Sequence, residues 1–141
     1  MIEACESFGP YCLIGGLAVN FFVEPVYTLD ADFVVVASSL PSLSAHLREL
    51  APASQLRIQF TTDPRYQAFL DRSLEAVVLG VPVRIACLED ITQGKLWAYA
   101  DPSRRLSKRK KDELDLIRLA EAYPELKSLY PKELQEQLDR G

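Results

Sequence analysis

The feature that most constrains this chain is a pair of aspartates at the start of an apolar run. Asp30 and Asp32 stand two residues apart, and residues 33–37 are all apolar. Because successive side chains of a strand alternate between faces, two carboxylates at this spacing project from one face of a predicted strand. Like charges this close repel each other unless a cation lies between them, and oxygen ligands suit Mg²⁺. The spacing indicates a metal site, and a turn or helix cap is the structural alternative.

A glycine pair lies upstream, between an apolar segment and a segment of helical composition. Tyr11 to Ile14 precede Gly15-Gly16, and Leu17 to Phe22 follow them. This order predicts a strand that turns through glycines into the N-terminus of a helix. Such a terminus presents backbone N–H groups and the positive end of the helix dipole, and glycine permits close approach of a ligand. The segment therefore predicts a phosphate-binding site immediately before the paired carboxylates.

Length and composition favour one globular domain. The chain has 141 residues, of which 48% are hydrophobic and 26% charged, enough for one core and short for two. We expect a single domain over residues 1–141, with a core at about 11–120 and a terminal helical tail at 121–141. The net charge of −4 gives no overall attraction for nucleic acid, so any such binding requires a local basic patch.

Cysteine and histidine usage argues against zinc and Cys-His or Ser-His-Asp sites. Cys5, Cys12 and Cys87 are odd in number, widely separated and flanked by apolar residues, which indicates buried thiols in a reducing compartment. The single histidine, His46, lies in a leucine-rich stretch and is predicted to be a surface or packing residue. No basic N-terminal region occurs, and no apolar run approaches the ~18 residues of a membrane span. We expect a cytoplasmic location without membrane contact.

Hydrophobic periodicity predicts strands and helices that alternate along the chain. Strands are predicted at 11–14, from Asp30, at 55–60, and in a hairpin with arms at 75–79 and 81–86, where Pro82 favours a sheet edge or a bulge. Helices are predicted at 1–10, 16–23, 42–50, from Leu88, after Asp112 and at 131–138, and a loop or short helix at 63–71. This order predicts an α/β (α+β) fold with a small mixed sheet, flanking helices and a C-terminal helical segment.

A basic run precedes the last long helical segment. Its members are Arg104, Arg105, Lys108, Arg109, Lys110 and Lys111. In an acidic protein this is a local positive feature that suits a triphosphate or an RNA backbone, although charge runs are more often solvated helix faces. Asp112 stands three residues after Arg109, so a pair on a helix surface is a sufficient structural explanation for that carboxylate.

Four motifs occur in an order that resembles the nucleotidyltransferase superfamily. The first two are the Gly15-Gly16 pair after a hydrophobic residue and the Asp30-x-Asp32 pair on the next strand. The later two resemble the Thr-x-x-Lys and Arg-x-Lys-Asp-x-x-Asp motifs of the AbiEii-type nucleotidyltransferase toxins and their small stand-alone relatives. They correspond here to Thr92–Lys95 and Arg109–Asp115.

The resemblance implies a nucleotidyltransferase-like fold, a nucleoside triphosphate substrate and a specific set of site residues. The implied catalytic residues are Asp30, Asp32, Lys95 and Asp112. The implied nucleotide-binding residues are Gly15, Gly16, Thr28, Arg109 and Lys111. Asp30 and Asp32 are also the implied ligands of Mg²⁺ or Mn²⁺. On local sequence alone, Lys95 would be an ordinary solvated helix lysine.

The resemblance also implies the reaction and its acceptors. A nucleoside monophosphate would pass from the triphosphate to a hydroxyl, in a phage-defence or toxin–antitoxin setting. AbiEii-type toxins suggest a tRNA 3′ end, the minimal stand-alone relatives suggest a tyrosine of a partner protein, and antibiotic-modifying relatives suggest a small-molecule hydroxyl. We place tRNA slightly ahead of protein.

One position departs from the superfamily pattern. The strand beside the aspartate pair usually supplies a third carboxylate, and this chain has Gln59 there. A neutral amide neither binds metal as an anion nor accepts a proton as a base. Asp63 and Glu75 are candidates to replace it, although a turn residue and a solvated strand end are their structural alternatives. The rival function is a catalytically degraded module of the same fold that binds a nucleotide or a partner.

Overall fold

The computed structural model describes residues 9–26, 28, 30–36 and 57–141. Several sequence predictions lie outside these residues and are left as predictions. They concern the helices at 1–10 and 42–50, the first part of the strand at 55–60, Cys5 and His46.

Within the described residues, five strands form one mixed sheet, as the sequence predicts. The strands are β1 (Tyr11–Ile14), β2 (Asp30–Val35), β3 (Arg57–Thr61), β4 (Leu74–Val78) and β5 (Val81–Ile85). They lie in the order β3-β2-β1-β5-β4. β1 is antiparallel to β2 and parallel to β5, β2 is parallel to β3, and β4 is antiparallel to β5. The aspartate strand β2 therefore lies between β1 and β3, near the middle of the sheet.

The proline arm of the hairpin corrects one prediction. β5 lies between β1 and β4 and is an interior strand, whereas Pro82 predicts an edge or a bulge. Pro82 pairs with Val77 of β4, while the backbone pairing of β1 with β5 joins Leu13 to Ile85 at the other end of β5. The missing N–H of Pro82 consequently falls where β5 has no pairing with β1, which is why an interior strand tolerates proline.

Helices connect and flank these strands. They are α1 (Gly15–Phe22), α2 (Pro64–Asp71), α3 (Leu88–Ala100), α4 (Leu106–Ala122), a 3₁₀ helix (Pro124–Leu129) and α5 (Lys132–Arg140). Asp63 begins α2 by accepting a hydrogen bond from the backbone N–H of Arg65, 2.9 Å away. α4 begins at Leu106, so most of the basic run is helical. No helix in these ranges combines the length and the apolar character that a membrane span requires.

The C-terminal segment packs on the same core as the sheet. Leu126, Tyr130 and Leu134 are almost completely buried and belong to one cluster with the strand residues Leu13, Phe33 and Ile85. The Tyr130 hydroxyl donates a hydrogen bond to the Leu116 carbonyl of α4 at 2.5 Å. This packing fixes the direction of α4, the helix that carries most of the basic run.

Candidate active site

A cleft of about 650 Å³ opens where β1, β2 and β3 face α3 and α4. We call it the central cleft. It is lined by Ile14, Gly15, Asp30, Asp32, Phe33, Gln59, Phe60, Thr61, Tyr66, Gly94, Lys95, Ala98, Arg104, Lys108 and Asp112. The charged residues of this set come from β2, α3, α4 and the loop before α4. One cleft thus collects charged side chains from most of the chain.

The aspartate pair lies on β2, between β1 and β3. Both Asp30 and Asp32 lie on β2, and both line the central cleft, as side chains two residues apart on a strand should. Asp32 is in register with Ile14 of β1 on one side and with Gln59 of β3 on the other. Gln59 therefore stands at the position where the superfamily pattern places a third carboxylate.

Gly15 brings the start of α1 against the Asp32 carboxylate. Its φ of +75° favours glycine, and a Cβ added there would lie inside van der Waals contact of Asp32 Oδ2 and 3.2 Å from Asp32 Cγ. No larger residue fits between this backbone and this carboxylate. The predicted phosphate site and the predicted metal site consequently adjoin each other.

We expect Gly15→Ala to lower the activity proposed below by roughly 10²-fold, because the new methyl group must displace the Asp32 carboxylate from its position. The positive φ adds a folding cost of about 1–2 kcal/mol. Gly80→Ala is the matched control, since Gly80 has a φ of +78° but no atom within 4 Å of an added Cβ. Equal losses of activity in the two variants would show that strain, and not the contact with Asp32, causes the defect.

The two aspartates of the pair have different electrostatic surroundings. Burial and the neighbouring charge of Asp30 raise the pKa of Asp32, although Lys95, Arg104 and Lys108 oppose that shift. Burial also acts to raise the pKa of Asp30, but Lys108 and Arg57 outweigh it and hold that pKa below its usual value. Asp32 is thus the carboxylate of the pair whose charge is less well compensated.

Lys95 is almost completely buried between two carboxylates. Its Nζ lies 3.1 Å from Asp112 Oδ1 and 2.8 Å from Asp115 Oδ2, and the side chains of both aspartates are at most 2% exposed. The contact with Asp115 has ion-pair distance without hydrogen-bond alignment, so its attraction is chiefly Coulombic. Arg104 Nε lies 2.6 Å from Asp112 Oδ2. Lys95 is therefore no solvated helix lysine, and it balances buried negative charge at the wall of the central cleft.

A further set of contacts runs from Asp115 to the loop that precedes β2. Arg118 Nη1 lies 2.8 Å from Asp115 Oδ1, and Arg118 also donates to Asn20 Oδ1 at 3.2 Å and to the Glu24 carbonyl. The Asn20 side chain in turn brackets Val26, donating to its carbonyl at 2.7 Å and accepting from its N–H at 3.1 Å. These contacts connect α4, α1 and the segment that leads to Asp30.

The structure collects some of the predicted site residues in the central cleft and places others outside its lining. Gly15, Asp30, Asp32, Lys95 and Asp112 line the cleft. Gly16 and Thr28 lie close together beside it, since a Cβ on Gly16 would be 3.7 Å from Thr28 Oγ1. The Thr28 hydroxyl accepts a hydrogen bond from the Asp30 N–H at 3.3 Å.

Two predicted nucleotide-binding residues of the basic run lie elsewhere. Arg109 lines a second cleft of about 340 Å³ between α3, α4 and the start of α5, and Lys111 lines neither cleft. Arg104 and Lys108 line the central cleft instead, and the sequence names these two only as members of the basic run that suits a triphosphate or an RNA backbone. Helical spacing is the signal that could have placed Lys108 on the side of the site. Lys108, Asp112 and Asp115 follow each other at intervals of four and three residues, which puts them on one face of a helix.

The candidate replacements for the third carboxylate do not line the central cleft. Asp63 caps α2 and pairs with Arg65 at 3.1 Å, and Glu75 lies on β4 with a side chain that is 89% exposed. Asp112 does line the cleft, but Lys95 and Arg104 hold its carboxylate. Within the described part of the chain, no group of three or more carboxylate, histidine or cysteine side chains is arranged to hold a metal ion.

The residues present fit a divalent cation that takes only part of its ligands from the protein. Asp30 and Asp32 supply oxygen atoms on one face of β2, and the Asp32 carboxylate makes no hydrogen bond or ion pair with the described residues. Mg²⁺ commonly binds through one or two carboxylates together with water and substrate phosphates. A pair of carboxylates in a cleft rich in cationic side chains matches that pattern.

Comparison with known proteins identifies the fold. No protein-family model matches the chain, and no curated protein sequence matches it. An antigenic nucleotidyltransferase-like protein from Paracoccidioides brasiliensis is similar in structure, with a TM-score of 0.56, 19% sequence identity, and coverage of 99% of this chain and 82% of that one. The antibiotic-resistance factor ANT(2'')-Ia is also similar, with a TM-score of 0.55, 17% identity, and coverage of 98% of this chain and 85% of that one. The chain therefore has a nucleotidyltransferase-like fold, and the predicted fold class is confirmed.

Proposed function

We propose that this chain is a metal-dependent nucleotidyltransferase, which moves a nucleoside monophosphate from a nucleoside triphosphate to a hydroxyl acceptor. The observation that carries the proposal is the contact between Gly15 and Asp32. It joins the N-terminus of α1, which suits an anionic phosphate, to a carboxylate that suits a divalent cation, within one cleft. Asp32 is a partly buried carboxylate without a partner among the described residues. Such burial costs free energy, so packing alone does not explain an aspartate at this position.

Different residues of the central cleft bind the phosphates, stabilise the leaving group and hold the metal in the proposed reaction. Gly15 and Gly16 offer the start of α1 to the β and γ phosphates. Arg104 and Lys108 line the same cleft and supply positive charge toward the pyrophosphate that leaves when the acceptor oxygen attacks the α-phosphorus. Asp30 and Asp32 would hold Mg²⁺ or Mn²⁺, which when bound supplies further charge stabilisation for the phosphates.

Lys95 and Asp112 act indirectly in the proposed reaction, by positioning another side chain. Their mutual ion pair at the wall of the cleft fixes the position of Arg104, whose Nε contacts the other oxygen of Asp112. Arg109 and Lys111 lie outside the lining of the central cleft. We propose that these two residues contact the acceptor and not the triphosphate. A basic surface of this kind suits a phosphodiester backbone.

The acceptor proposed first is a tRNA 3′ end, followed by a hydroxyl of a partner protein. Both come from the resemblance to AbiEii-type toxins and their small stand-alone relatives, together with a role in phage defence or a toxin–antitoxin pair. One structural neighbour is named as an antibiotic-resistance factor, so a small-molecule hydroxyl is a third acceptor to include in the test.

The test is transfer of label from each α-³²P-labelled nucleoside triphosphate in the presence of Mg²⁺, with total tRNA, cell lysate or a panel of hydroxyl-bearing antibiotics as acceptor. We expect label to appear in the tRNA fraction with the wild type and to be absent with Asp30→Ala/Asp32→Ala. Label in a protein band or in a small molecule would reassign the acceptor and keep the reaction. A folded wild-type protein that transfers no label to any acceptor would contradict the proposed activity.

A second candidate is a module of the same fold that binds nucleotide or a partner without turnover. The observation that favours it is the absence, within the described residues, of a third carboxylate free to act beside the aspartate pair. Gln59 takes that position, and Asp112 is held by two cations. Metal-dependent nucleotide binding by a wild type that transfers no label would support this candidate over the enzyme.

A further inference from the structure

Two cations contact one aspartate of the pair and leave the other without a partner among the described residues. Lys108 Nζ lies 3.2 Å from Asp30 Oδ2, and Arg57 Nε lies 2.9 Å from Asp30 Oδ1. Asp32, one strand step away, makes no hydrogen bond or ion pair within those residues. The positive charge that compensates this pair is therefore concentrated on Asp30.

Neither cation is fixed on Asp30 by complete burial. The Arg57 side chain is 65% exposed and the Lys108 side chain 29% exposed, whereas that of Asp30 is only 12% exposed. Arg57 is at ion-pair distance from Asp30 Oδ1 without forming an aligned hydrogen bond. Exposed pairs between long, flexible side chains are weak, and lysine in particular is a mobile point charge.

A metal ion at the aspartate pair competes with these contacts. A divalent cation close to the Lys108 ammonium is repelled by it, and both compete for the oxygen atoms of Asp30. A nucleotide phosphate offers Lys108 a second anion in the same cleft, because Lys108 and Gly15 both contribute to its lining. Binding of the nucleotide thus removes an obstacle to binding of the metal.

We propose that Lys108 is a counter-ion that exchanges between Asp30 and the nucleotide phosphates, so that metal and nucleotide bind with positive coupling. The inference rests on the proposed function for the identity of the ligand. In the free protein Lys108 compensates Asp30; in the loaded protein it contacts phosphate and leaves the Asp30 oxygen to the metal. By linkage, the nucleotide raises metal affinity by the same factor as the metal raises nucleotide affinity.

The test compares wild type with Lys108→Met and Lys108→Arg. Affinity for Mn²⁺ alone is measured from the paramagnetic resonance of free Mn²⁺, and affinity for each α,β-methylene nucleoside triphosphate by calorimetry with and without Mg²⁺. We expect Lys108→Met to bind Mn²⁺ alone about fivefold or more tightly than wild type, and the metal–nucleotide coupling factor to fall by a similar amount. Lys108→Arg should retain the coupling, because it retains the charge.

Lys132→Met is the charge-matched control, since Lys132 is an exposed residue of α5 that does not line the cleft. It should leave both affinities unchanged. If Lys108→Met binds Mn²⁺ no more tightly than wild type, the proposed exchange of Lys108 between Asp30 and phosphate is overturned. Nucleotide binding and transfer by the wild type would in that case leave the proposed function intact. A wild type that binds neither Mn²⁺ nor nucleotide would overturn both.

Discussion

We expect replacement of Asp32 by asparagine to lower the proposed nucleotidyl transfer on the order of 10²–10³-fold or more, because it removes the carboxylate that the described residues leave free for a metal. The amide has the same shape, so packing against Gly15 is retained. Burial and the charge of Asp30 raise the pKa of Asp32, so a neutral group at this position also relieves a repulsion. We therefore expect the variant to be at least as stable as wild type while it loses activity.

The measurement is initial-rate transfer of labelled nucleotide together with the urea unfolding midpoint of each protein. Glu75→Gln is the matched control, because it makes the same chemical change on an exposed carboxylate of β4 outside the central cleft. It should change neither quantity. Retention of transfer by Asp32→Asn at the wild-type rate would remove Asp32 from the metal site and with it the basis of the proposed reaction.

Replacement of Lys95 by methionine is expected to cost roughly 3 kcal/mol of unfolding free energy, near the lower end of the range for breaking a buried ion pair. The ammonium lies between Asp112 and Asp115, whose side chains are 2% and 1% exposed, so its removal leaves two buried carboxylates with less compensation. Arg104 and Arg118 still contact those carboxylates, which keeps the cost from being larger. Chemical denaturation measures the effect directly.

A double-mutant cycle separates this electrostatic cost from lost packing. Lys95→Met/Asp112→Asn should recover part of the stability that Lys95→Met alone loses, because the second change removes one of the uncompensated charges. Lys132→Met, an exposed lysine of α5, should leave the urea midpoint unchanged. Additive losses in the double variant would contradict the account of Lys95 as the counter-charge of this cluster.

The sequence predicts the parts of the fold that depend on local order. The strand at Tyr11–Ile14 is predicted with its observed bounds, the helix after the glycine pair is predicted within one residue at each end, and the strand at Asp30 is predicted with its observed start. Apolar runs, glycine turns and alternation are local signals, and here tertiary packing agrees with them. The placement of β5 inside the sheet was missed, because it depends on which short part of that strand meets β1.

The candidate site could be predicted only as far as short motifs reach. Gly15, Asp30 and Asp32 were identified because their spacing along one segment carries the chemistry. Lys108 was predicted only as one member of the basic run, and its contact with Asp30 was not predicted because the two residues are 78 positions apart in the sequence. The contact of Arg118 with Asn20 spans 98 residues, and it was not predicted for the same reason. Which members of a basic run face a cleft depends on the rotation of α4 about its axis, which residues of the distant C-terminal segment help to fix.

The assignment of the central cleft as the nucleotide site can be tested by locating a metal–nucleotide complex on the folded protein. Mn²⁺ with an α,β-methylene nucleoside triphosphate is titrated into ¹⁵N-labelled wild type and Asp32→Asn, and paramagnetic broadening of amide resonances is followed. We expect broadening centred on Gly15, Asp32 and Gln59, little effect at Gly80, and loss of the localised broadening in the variant. Broadening centred elsewhere, or unchanged by Asp32→Asn, would contradict the assignment of the central cleft as the nucleotide site.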